Sequence, residues 1–114
     1  MDSILTSIKK MLGIAEDCTD FDMDLIIHIN SVLGILNQLG VGPDTGFSIT
    51  DKSDEWMDFV ADMSTLEFVK SYVFLKVRML FDPPTSGAIT ESINRMIREL
   101  ECRILIAADK SQSE

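Results

Sequence analysis

The chain has 114 residues, a net charge of −9 and a hydrophobic content of 46%. That length supports one domain with a modest core, and the apolar content excludes a disordered chain. The acidic balance excludes a protein that grips nucleic acid through clustered Lys and Arg, and no apolar run approaches the ~18 residues of a membrane span.

The charge is unevenly placed. Residues 1–64 carry twelve acids against three lysines, which accounts for the whole −9. Residues 65–114 balance seven acids with seven bases and hold all four arginines, Arg78, Arg95, Arg98 and Arg103. Cys18 and Cys102 have neither metal-ligand nor redox spacing and read as free thiols in a reducing cytoplasm. The start, MDSILTSIKK, lacks the basic, long-apolar pattern of a signal peptide.

In chain order, Ile4, Leu5, Ile8, Met11 and Leu12 recur at helical spacing and stop at Gly13. Lys9 and Lys10 would let such a helix touch a membrane, but packing on a core is the expectation. A second helix is predicted from about Asp22 to Leu39, with Leu25, Ile26, Ile29, Val32, Leu33 and Leu36 inward and Gly40 as its stop. The stretch LGVGPDTGFSITDKSD reads as a loop. A short helical turn is expected over Glu55–Ala61, carrying Trp56 and Phe59.

A long helix follows from Thr65 to Phe81, cut off by Asp82-Pro83-Pro84 because a proline ring disfavours a helical residue before it and removes a donor. At about 100° per residue, Glu67, Ser71, Arg78 and Asp82 share one narrow polar sector. Leu66, Val69, Val73, Val77 and Leu80 fall on one apolar flank, and Phe68, Tyr72, Leu75 and Met79 on another. Phe74 and Phe81 border the polar strip, and Lys76 interrupts the apolar arc. One neighbouring helix covers about 100°, and this arc is more than twice as wide. Leaving four large side chains wet would forgo roughly 6–12 kcal/mol, against a typical domain stability of ~5–15 kcal/mol. The helix must be covered on several sides, by its own chain, by a neighbouring subunit, or by both.

A last helix is predicted over about Ala88–Ala108. Its stripe, Ile89, Ile93, Met96, Ile97, Leu100, Ile104 and Ala107, suits packing along another helix. Glu91/Arg95, Arg95/Glu99 and Glu99/Arg103 stand four apart on its outer faces. Cys102 and Ile106 lie off the stripe, where a partner could cover them. The expected fold is therefore all-α, a small bundle of four to five helices with a central hydrophobic helix and a long C-terminal one. Residues 1–108 would form a single domain and 109–114 a polar tail.

Motifs with catalytic or ligand-binding chemistry fail on inspection. Asp20, Asp22 and Asp24 open like a calcium loop, but Leu25 stands where glycine is needed and Ser31 where a bidentate Glu is needed. Attraction of acids to a helix N-terminus explains them better. Gly40, Gly42 and Gly46 follow a helix rather than a strand, so no phosphate cradle is implied. Asp51, Asp54, Glu55, Asp58 and Asp62 read as a solvated acidic face, with a weak cation site as the lesser alternative. His28, the one histidine, falls between Leu25 and Val32 and reads as a core or interface residue. No nucleophile, base and orienting group can be assembled, so no catalysis, cofactor or metal is expected.

The order of MDSILTSIKKMLGI, an acidic turn, DLIIHINSVLGILNQLGVGP, VKSYVFLKVRMLFDPP and ESINRMIRELECRI resembles the head–tail connector, or adaptor, proteins of tailed bacteriophages and prophages. The INS…LxQLGVGP stretch, the KxxxLFDPP helix end and the ESINR…EL helix carry the resemblance, which runs from residue 1 to about 105. It implies a mostly helical structural protein, about a dozen copies of which form a ring beneath the portal. Such a ring extends the DNA channel and docks a stopper or tail-completion protein. The implied location is the head–tail junction of the virion, with synthesis in the bacterial cytoplasm and no membrane contact. DNA would cross without specific binding, aided by an acidic wall. Candidate contacts with neighbouring subunits or with the portal are Tyr72, Phe74, Arg78, Phe81, Arg95, Arg98, Leu100 and Arg103. The 41–55 loop, with Asp44 and Asp51, is the candidate channel-facing segment. From the residues alone, a small acidic helical regulator binding one host protein as monomer or dimer explains the same features. A metal-dependent enzyme using the acids of 51–62 is a more distant alternative.

Overall fold

The computed structural model describes residues 3–112 of the protein. Among them are five helices: α1 (Ile4–Leu12), α2 (Asp22–Gln38), α3 (Trp56–Phe59), α4 (Met63–Phe81) and α5 (Gly87–Gln112). The fold is a small all-α bundle, as the periodicity predicts. None of these helices is long and apolar enough to cross a membrane.

Each boundary has a local cause. The Ser3 hydroxyl accepts from the Thr6 N–H to open α1, and Gly13 closes it in the left-handed region at φ 82°, where a Cβ would be strained. In α2 the acids of the first turn are Asp22 and Asp24, which favour the positive end of the helix dipole. α4 begins two residues earlier than predicted, after Asp62, whose carboxylate accepts from the hydroxyls of Ser64 and Thr65. α5 continues past the expected stop near Ala108 to Gln112; nothing in the following residues breaks a helix. Residues 109–112 of the predicted tail are thus helical, and 113–114 lie outside the described residues.

α4 is the central element and packs against α1, α2 and α5. Its Leu66, Val69, Val73 and Val77 are buried together with Leu25, Ile29, Val32, Leu33 and Leu36 of α2. Ile4, Leu5 and Ile8 close one end of this core, and Trp56 and Phe59 of α3 join it. Each of these side chains contributes about 1.5–3 kcal/mol when fully buried. On α5 the stripe divides. Ile93, Ile97 and Ile104 are buried, while Ile89 and Met96 are 50% and 46% exposed. The predicted stripe is wider than one neighbour covers, so its centre packs and its edge stays open.

Lys9 ties α1 to α2. The side chain is almost wholly buried, and its ammonium lies 2.9 Å from the Asp22 carboxylate and donates to the Glu16 carbonyl at 3.0 Å. The aliphatic stem packs in the core while the charge is met by a partner. Lys10, its neighbour, is exposed.

Candidate functional site

A largely apolar groove of about 400 Å3 opens between α4, α5 and the end of α1. It is lined by Phe68, Phe74 and Leu75 of α4, Met96 and Leu100 of α5, and Met11 of α1. Arg103 and Glu99 stand on its rim and pair at 2.9 Å. Of the candidate contacts read from the sequence, Phe74, Leu100 and Arg103 therefore converge here. The chain covers much of its central helix by itself, yet Phe68, Phe74, Met79 and Phe81 remain only partly buried and Leu80 is 54% exposed.

The other candidates lie elsewhere. Tyr72 is wholly inside the chain, and its hydroxyl donates to the Glu101 carboxylate at 2.7 Å. Burial, then the bond to Glu101 and the charge of that carboxylate, hold the phenol in its protonated form well above its ordinary range. Tyr72 thus joins α4 to α5 from within rather than presenting a surface. Phe81 meets Phe21 edge-on, with ring centroids 5.4 Å apart, at the junction of α4 and α2. Arg78 is half-exposed nearby in sequence, and Arg95 and Arg98 are exposed on the outer face of α5.

A second groove, on another side of α4, is lined by His28, Val32, Ile35, Lys76, Met79 and Leu80. His28 is half-buried in its wall, not in the core. Lys76, which breaks the apolar arc of α4, places its ammonium 5.8 Å from the centre of the Tyr72 ring, a cation–π distance.

The loop after α2 is held by contacts that pattern reading missed. The Asn30 side-chain amide donates to the Ile49 carbonyl at 3.0 Å and accepts from the Ile49 N–H at 2.7 Å. Asn37, seven residues on and hence on nearly the same face, donates to the carbonyls of Val41 and Pro43. Ile49 and Val41 are buried by these anchors, and Phe47 packs on Phe59. Gly42 has φ 88°, and a Cβ there would sit 2.5 Å from the Phe59 ring. The LxQLGVGP stretch is thus a built turn. The available signal was two asparagines, Asn30 and Asn37, a heptad apart on the second helix.

Asp44 and Asp51 are both exposed on this loop. The Asp51 carboxylate accepts from the hydroxyl and N–H of Ser53, and these bonds hold it below the usual range. Asp54 accepts from the Thr50 N–H, and Asp58 from the Glu55 N–H. Bonds from Thr65 and Ser64 lower Asp62 likewise. The acids of 51–62 therefore serve as local caps. No group of three or more His, Cys, Asp or Glu suited to a metal occurs among the described residues. Cys18 is half-buried and Cys102 exposed, and both are free thiols.

An all-helical bundle with open apolar grooves and partly covered aromatic side chains is a geometry suited to packing against other chains. The family model described as phage connector protein matches residues 4–111. The chain belongs to that family, the structural class that the sequence resemblance implied. No curated protein and no solved structure matches it.

Proposed function

We propose that the protein is a subunit of a ring of about a dozen copies, seated beneath the portal of a tailed phage. The ring extends the DNA channel and offers a platform for the stopper or tail-completion protein, and the subunit acts in the virion without catalysis. The observation that carries this reading is the family match along nearly the whole chain, joined to an apolar groove that the chain's own helices leave open.

Contacts with the neighbouring subunit or the portal fall to Phe74, Arg78, Phe81, Arg95, Arg98, Leu100 and Arg103. Tyr72 supports them from within by holding α5 on α4. Asp44 and Asp51 face the lumen, where like charge keeps DNA from adhering to the wall. Light scattering of the purified protein, alone and mixed with its portal, tests the reading. A closed ring in either condition is expected. A stable monomer or dimer that ignores the portal refutes it.

A further inference from the structure

We draw no further inference here: the strongest candidate, the groove between α2, α4 and α5 with His28 and Lys76 in its wall, carries nothing, because the Lys76 ammonium already faces the Tyr72 ring and nothing in the structure shows what covers the groove's apolar side chains.

Discussion

Replacing Tyr72 by Phe removes one oxygen from the interior and leaves the ring packing intact. The lost hydrogen bond is short, at 2.7 Å, and its acceptor is the carboxylate of Glu101. Bonds to charged groups contribute about 1.5–3 kcal/mol. Glu101 is only half-buried, so water replaces part of the bond, and the expected loss is about 1–2 kcal/mol. For a chain of this length that lowers Tm by roughly 4–8 °C. Urea unfolding should show a lower midpoint at unchanged m, since the surface exposed on unfolding is the same.

The pH dependence gives a second, independent readout. Burial and the Glu101 bond raise the phenol above its ordinary value of 10.0 in the folded chain. Stability from this group is fully present below pH 10 and is lost as pH rises from there toward the folded value, because the unfolded chain releases the proton first. The parent therefore loses more stability than Tyr72→Phe above about pH 10. Lysines titrate in both proteins and cancel in the difference. Tyr72 is the only tyrosine, so its tyrosinate absorbance reports the folded value directly. A variant within about 0.5 kcal/mol of the parent, or one with the same alkaline slope, refutes the reasoning.

Lys9→Ala should cost about 1–3 kcal/mol, as it strips a partly buried carboxylate of its partner, whereas Lys10→Ala should change little; paired denaturation curves check the contrast. Asn30→Ala leaves both backbone groups of buried Ile49 without their partner, and a loss of about 2–3 kcal/mol is expected, with faster amide exchange along residues 41–53. NMR titration of the carboxyl carbons should place Asp51 and Asp62 below the reference value of 3.8. Their capping contributions are present above that pH and fall away below it, through the lowered folded values. Asp62→Asn should remove the corresponding acid transition.

The extent of each helix was largely legible because period and punctuation act locally. Gly13 ends α1, Asp82-Pro83-Pro84 ends α4, and the broad apolar arc of α4 marks it as the central helix before any contact is known. The acids of 51–62 were legible as a class but not as individuals. Whether a carboxylate caps a turn depends on backbone directions that composition does not carry. Lys9 and Lys10 are adjacent and chemically alike, yet one is buried and one exposed. The Asp22 carboxylate, thirteen positions away from Lys9, decides between them.

The candidate contact residues divide in the same way. Helical phase placed Tyr72 on an apolar flank, but only its distance to Glu101 shows that α5 covers it. Phe74, Leu100 and Arg103 come from two helices whose relative rotation is set by packing, so their meeting in one groove could not be read along the chain. The sequence by itself determined the all-α class, the central helix, the acidic first half and the family resemblance, since each is a sum over neighbours in sequence. The tertiary structure alone decided which parts of the apolar arcs stay open and how Asn30 and Asn37 hold the loop, because those depend on contacts between segments that the chain brings together only on folding.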